Sequence, residues 1–368
     1  MNKGLLVLLV FTYIFLIIRN YRGYINSKTT FLLTIITASL SVFMLCSSNT
    51  ADLDWSITQL DMSGYRTVYE QYDVLEHQDF NMYYIFYSSM YLGQYYGLSF
   101  RLWWTIMSIL AMIVIFLSCK IHNYSFNIFL ATFMAYFEMI FYSGFKFFYG
   151  FCFLLLAYGF LIRNNFLGKL LFVVFTCVAG GFHVMYYYFL VLLLSPILKS
   201  RFLMVSVLSS LFAFVALMRA SDSALSFVQP FFDTLDNEHI NIYTQATVHF
   251  GFYIALFIHL MVVYVAYAIR KHALKKGGDS LMANVLFNTV LLSLVFVPFY
   301  TVALTFMRLI TAFSLIVITA GSTVLADSYK SRMLCVKLSL LIVFSFHLLK
   351  IITGGFWETS IVPYFDVL

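Results

Sequence analysis

The stretch SFRLWWTIMSILAMIVIFLS, residues 99–118, carries a single charge, Arg101, in twenty positions. A helix of that length is about 30 Å long, the thickness of a bilayer's hydrocarbon core. Its apolar residues run all the way round, so no face is left for water. Much of the chain reads the same way. Of 368 residues, 62% are hydrophobic, 20% aromatic and only 10% charged, against about a quarter charged in an ordinary soluble chain. Too few charges remain to cover a soluble surface. A cytosolic globule, a disordered chain and a disulfide-built secreted scaffold are excluded. The apolar runs are long and continuous, without the alternation of a membrane β-barrel. The fold class predicted is all-α, a polytopic integral membrane protein.

Apolar runs predict roughly 12 transmembrane helices, at 4–18, 30–48, 99–118, 125–142, 147–162, 169–182, 184–198, 202–219, 248–269, 284–300, 302–325 and 333–352. The pair 169–182 and 184–198 reads as a hairpin or as two tilted helices. Met1 to Ile18 reads as a retained first span, because Arg19 stands where a signal peptide would have its small-residue cleavage site. Residues 1–368 form a single integral membrane domain, decorated by an outer-face loop with an interfacial helix over 49–98 and by a second outer loop over 220–247. The segment 80–97 contains Asn81, Ser88, Ser89, Gln94 and six tyrosines, too polar for a crossing, and reads as an interfacial or re-entrant helix. In it Tyr83, Tyr87, Tyr91 and Tyr95 recur every fourth residue, as a stripe along one side.

The net charge of +6 does not point to nucleic acid, because the basic residues sit between apolar segments. Fifteen of the 22, from Arg19 through Lys120, Arg163, Lys199 and Arg270 to Lys337, fall in short connections on one side. That side is the cytoplasm by the positive-inside rule. Thirteen of the 16 acids lie on the other side, and Glu138 is the one acid inside a span. The five cysteines are far apart, lack metal-ligand spacing and read as small core residues.

No phosphate-binding glycine loop, zinc motif or nucleophile elbow is present. Asp52 and Asp54 match a metal-holding D-x-D pattern, but two acids in an acidic loop do not make a metal site, and none is expected. The informative residues are polar ones near the outer ends of spans. Asp61, Tyr65 and Tyr69 are spaced four apart with Arg66 between, so a helix would line up a carboxylate and two phenols. Glu138 and Lys146 bracket the start of a span; they form a structural ion pair or line a polar cavity. His183 follows Gly180-Gly181-Phe182 at an outer rim, where the glycines permit tight packing or a sharp turn. Arg308 lies about two turns below the outer end of its span, too deep for a loop charge. Cations sunk in the outer leaflet suit an anionic lipid headgroup, and aromatic faces with acids suit sugars. Such a site could process a diphosphate-linked glycolipid.

The chain resembles the EpsG family, related in role to Wzy polymerases of capsule, exopolysaccharide and O-antigen assembly. The resemblance rests on Asp61-x3-Tyr65-x3-Tyr69, on Ser143-Gly144-Phe145-Lys146, on Gly181-Phe182-His183, on Arg308, and on the tail Ile361-Val362-Pro363-Tyr364. The family usually has Arg-Gln after the glycine, where this chain has Lys146-Phe147. The resemblance implies a membrane glycosyltransferase that joins polyprenyl-diphosphate-linked oligosaccharide repeat units at the outer face of the bacterial cytoplasmic membrane. It implies no cofactor; partners would be the lipid-linked oligosaccharide, membrane lipid and other polysaccharide-assembly proteins, with no nucleic acid. In that chemistry Arg308 and Lys146 would stabilise the leaving diphosphate. His183, or else Asp61, would take the acceptor's proton. Glu138 would orient a cation, Arg66 would add positive charge, and Tyr65 and Tyr69 would hold sugars. A flippase of the same lipid-linked units needs a similar cavity, and a glycan ligase similar groups. Transporters often show repeats and helices broken near the midplane; no repeat is seen here.

Overall fold

The computed structural model describes residues 28–47, 61–71, 73–76, 81–135, 145–220, 249–275, 280–301 and 307–325, with a few isolated positions near each end. Among them the chain is helical throughout, with no strand. The α-helices are α1 (Lys28–Ser47), α2 (Asp61–Gln71), α3 (Tyr84–Tyr95), α4 (Phe100–Ile121), α5 (Phe126–Ala135), α6 (Phe145–Ile162), α7 (Phe166–Phe182), α8 (Ser200–Ala220), α9 (His249–Lys275), α10 (Ser280–Ser293) and α11 (Met307–Val324). Short 3₁₀ turns at Val74–Glu76 and longer 3₁₀ segments at Val184–Leu194 and Leu294–Thr301 complete them.

The deciding stretch is indeed one helix. Ser99 caps it, its Oγ accepting from the Leu102 N–H, and Asn123 (φ 56°) ends it in the left-handed region that asparagine tolerates. Asn165 caps α7 in the same way, accepting from the Gly168 N–H at 2.6 Å. α4 presents two faces: Trp103, Trp104, Ala111, Met112 and Ile115 are buried, while Leu102, Ile106, Ile109, Leu110, Ile113, Phe116 and Leu117 are exposed. An outward face made only of aliphatic and phenyl groups is one that meets lipid.

The described residues bear out part of the expectation of roughly 12 crossings. Among the described residues three helical stretches, Phe100–Ile121, Phe252–Lys275 and Leu281–Tyr300, are long and apolar enough to cross a membrane, and five more apolar helices are shorter. Two of the shorter ones come from one apolar run broken at His183, whose extended backbone (φ −152°, ψ 118°) ends α7 and starts a 3₁₀ segment. The runs expected at 4–18 and 333–352, the loop 220–247 and Glu138 lie wholly or largely outside the described residues.

Side-chain ties set the directions of these elements. Tyr186 Oη donates to the Phe147 carbonyl at 2.6 Å, so the top of the 3₁₀ segment meets the start of α6. Asn288 Nδ2 donates to the Ser195 and Leu198 carbonyls, both at 2.8 Å, so the other end of that segment meets α10. Just past His183, Tyr187 packs back on Gly180 of α7. The Ser125 N–H donates to Ser322 Oγ at 3.2 Å and joins the end of α11 to the turn after α4. Hence one end of the bundle collects α2, α3 and the starts of α4, α6 and α11 around His183. Lys120, Arg163, Lys169, Lys199 and Arg270 stand at helix ends on the opposite side. Leu281–Tyr300 and α11 are the most enclosed pieces, packed through Val285, Leu286, Val290, Ile310, Phe313 and Val317.

Candidate functional site

At the His183 end, Lys146 is ringed by aromatic faces. Its Nζ lies 3.9 Å from the Tyr83 ring centroid, 5.1 Å from Tyr65, 5.2 Å from Tyr87 and 5.8 Å from Phe86. It also donates to Tyr87 Oη at 3.4 Å. Ring quadrupoles attract a cation at such distances, and more so where water is partly excluded. Lys146 is half-buried among these rings. The cage is assembled from Tyr65 on α2, Tyr83, Phe86 and Tyr87 at the head of α3, and Lys146 itself on α6. Tyr83, Phe86 and Tyr87 share a face because they are three and four apart.

The Tyr83 ring connects this cage to His183, at 5.4 Å between centroids. Phe147 (5.5 Å) and Tyr186 (6.3 Å) flank the imidazole from other sides. His183 is buried and caps both neighbouring elements: its N–H donates to the Ala179 carbonyl at 3.0 Å, and its Nδ1 accepts from the Met185 N–H at 3.3 Å. With Nδ1 accepting, a neutral imidazole carries its proton on Nε2. In this arrangement the Nδ1 lone pair is engaged by the Met185 N–H. The glycines before it serve close packing. A Cβ on Gly181 would come within 2.6 Å of Ile85 and 2.8 Å of Tyr84, and one on Gly180 within 2.5 Å of Tyr187. Gly150 likewise makes room for the Tyr186 ring, which a Cβ would meet at 2.3 Å.

The other expected residues are placed as follows. Tyr65 and Tyr69 do share one face of α2. Tyr65 joins the cage; Tyr69 is buried, donates to the Leu98 carbonyl at 2.9 Å and packs on Phe100 and Trp103. Burial raises its phenol pKa above the usual range. Arg66 faces away, its Nε 2.9 Å from Glu70 Oε1 on the exposed side of α2. Asp61 is the first residue of α2 and Arg308 the second of α11, at the same end of the bundle; their side chains lie outside the described residues. Glu138 lies outside them altogether.

The four-residue tyrosine stripe needs correction. Tyr83 and Tyr87 turn inward to Lys146, whereas Tyr91 and Tyr95 are exposed. Steps of four residues overshoot a full turn by about 40° each, so three steps rotate the stripe off its face.

Two features went unread in the sequence. Phe86 in the cage carried the i, i+3 signal with Tyr83. His259 on α9 is fully buried, with Nε2 2.6 Å from Ser293 Oγ and Nδ1 3.0 Å from Tyr300 Oη; Ser293 in turn donates to the Val290 carbonyl at 2.7 Å. This imidazole clamps both ends of the 3₁₀ segment Leu294–Thr301. A histidine inside the apolar run 248–269 was the available signal.

A model of the EpsG family matches residues 50–365. No curated protein and no solved structure matches the chain.

Proposed function

The chain belongs to the EpsG family of membrane proteins of polysaccharide biosynthesis, and from that premise we propose that it is a repeat-unit polymerase acting on polyprenyl-diphosphate-linked oligosaccharides at the outer face of the cytoplasmic membrane. The observation that carries the reading is the caged Lys146 ammonium, one tyrosine ring away from His183 at a single end of the bundle. Ring faces hold the ammonium in place, and an ammonium fixed there attracts an incoming anion.

The bond broken is between the anomeric carbon of the growing glycan and the oxygen of its lipid diphosphate. The bond formed joins that carbon to a hydroxyl of the incoming lipid-linked unit. The hydroxyl proton goes to a base, and the bonding electrons leave with the diphosphate. Negative charge grows on the diphosphate in the transition state, and cations fixed beforehand lower that barrier most. Lys146 and Arg308 supply them. His183, with its proton on Nε2, donates to the leaving group or to a sugar oxygen; Asp61 is the base. Tyr65 contributes an aromatic face to the sugar, and Tyr69 holds α2 against α4. Arg66, paired with Glu70, stays on the exposed side of α2, and Glu138 orients a cation. Loss of the diphosphate drives the reaction, so no nucleotide is consumed.

The test is the lipid-linked glycan profile of a deletion strain. A polymerase deletion leaves single lipid-linked units at the outer face and no long polymer. Accumulation of those units at the inner face would instead identify a flippase, and normal polymer left unattached to its final acceptor would identify a ligase.

A further inference from the structure

α3 has a second, outward face of different chemistry from its inner one. Inward it buries Phe86, Tyr87 and Met90. Outward it exposes Tyr84 (40%), Tyr91 (37%) and Tyr95 (71%), with half-buried Ser88 between and Tyr96 (71%) just beyond the helix. Positions 84, 88, 91 and 95 follow the i, i+4, i+7, i+11 spacing of one helical face. The Tyr91 and Tyr95 rings lie 6.4 Å apart and Tyr95 and Tyr96 5.3 Å, so they form a row. From Tyr84 to Tyr95 the row is about 16 Å long. Its near end adjoins the site: Tyr84 packs at Gly181 and hydrogen-bonds Tyr187, four residues after His183.

Exposed tyrosines also occur on α9, at Tyr253, Tyr264 and Tyr267, but the exposed face of α4 is leucine, isoleucine and phenylalanine without hydroxyls. The α3 face is its opposite, phenols and a serine with Leu92 beside them. It also lacks the lysines and arginines that draw an interfacial helix to anionic lipid. A row of phenol rings offers flat π faces to the C–H faces of pyranose rings and hydroxyls to their oxygens. We infer that the outer face of α3 is a binding subsite for an extended oligosaccharide, entered from the His183 end at Tyr84 and continuing over Tyr91 and Tyr95. The inference rests on the polymerase reading for the identity of the glycan. It deepens that reading by giving the longer chain a track outside the reacting centre.

The test uses the full-length protein in lipid nanodiscs. The probe is the producing cell's own surface polysaccharide, cut to fragments of graded length and free of diphosphate. Saturation transfer from protein to sugar protons reports contact, and titration gives half-saturation. Wild type is expected to bind long fragments more tightly than single units. Tyr91→Leu/Tyr95→Leu keeps an apolar surface for lipid but removes both rings. It should weaken long-fragment binding about tenfold, the loss of two stacking contacts, with single-unit binding unchanged. Lys146→Met should leave fragment binding intact, because the probe has no phosphate. Long-fragment binding by the double leucine variant equal to wild type would overturn the subsite and mark the face as lipid-facing. No binding of any fragment by wild type would overturn it too, even where the deletion strain shows the polymerase phenotype. Binding lost in the leucine variant, in a strain whose deletion leaves polymer unchanged, would uphold the glycan subsite and refute the coupling reaction.

Discussion

Replacing Lys146 with methionine separates the charge of the cage from its packing. Methionine is nearly as long as lysine and fills the same space among Tyr65, Tyr83, Phe86 and Tyr87. What it removes is an ammonium 3.9 Å from one ring and a 3.4 Å hydrogen bond to Tyr87. A half-buried cation–π contact is worth about 1 kcal/mol, and the better desolvation of methionine offsets part of it. Thermal unfolding in detergent should therefore shift by no more than about 1 kcal/mol. The transition state loses more. A charge-assisted hydrogen bond to phosphate contributes about 1.5–3 kcal/mol, so coupling should slow by about 10- to 150-fold. The assay is polymer-ladder growth in membrane vesicles given polyprenyl-diphosphate-linked repeat units, with protein amount fixed by immunoblot. Lys146→Arg keeps the charge and adds a planar fork, and should retain most activity. Ladder growth within twofold of wild type by Lys146→Met, at equal protein, would remove Lys146 from the chemistry.

The remaining predictions concern the frame. Tyr69→Phe deletes the 2.9 Å bond to the Leu98 carbonyl and should cost about 1 kcal/mol in thermal unfolding. Ser293→Ala strands the buried His259 Nε2–H and should cost about 1–3 kcal/mol by the same measurement, whereas an unchanged midpoint would mean that the clamp contributes nothing. Gly150→Ala pushes a methyl toward the Tyr186 ring; about 1–3 kcal/mol of overpacking should appear together with lowered polymer output. His122, after α4, has its pKa lowered from 6.5 to about 4, by burial first and then by Arg163, against a bond to the Leu156 carbonyl. An unfolded chain takes up that proton near 6.5 and the folded one only near 4. Stability should therefore be level above 6.5, fall as pH drops through that window, and stop falling below it; His122→Gln should flatten the fall in pH-dependent melting.

Helix type was legible wherever a run was long and uninterrupted. Residues 99–118 needed no tertiary knowledge; the start of α7 was expected at 169, and the Asn165 cap sets it at Phe166. The switch to 3₁₀ at Val184 and at Leu294 was not legible, because the apolar composition does not change there and the cause is packing: Tyr186 tied to Phe147, and His259 gripping Ser293 and Tyr300. Of the site, the separate residues could be picked out by charge in an apolar setting, and the tyrosine pair on α2 by spacing. Their meeting could not, since Lys146, Tyr65 and Tyr83 come from three elements whose approach depends on glycines that look interchangeable in sequence. The tyrosine spacing on α3 suggested one face and produced two, because a step of four is not a whole turn.

α7 spans 17 residues, about 25 Å, and has Phe166, Leu167, Leu170 and Val174 exposed on its first half. The hydrocarbon layer it meets is about 30 Å thick. A helix too short for its bilayer draws the two leaflets together around it. On the polymerase reading proposed above, such thinning would let a prenyl carrier bring its diphosphate down toward the caged lysine without lifting its tail out of the acyl chains. Membrane thickness becomes a control on turnover: short-chain phospholipids should favour it, and long-chain ones should hold the carrier too high.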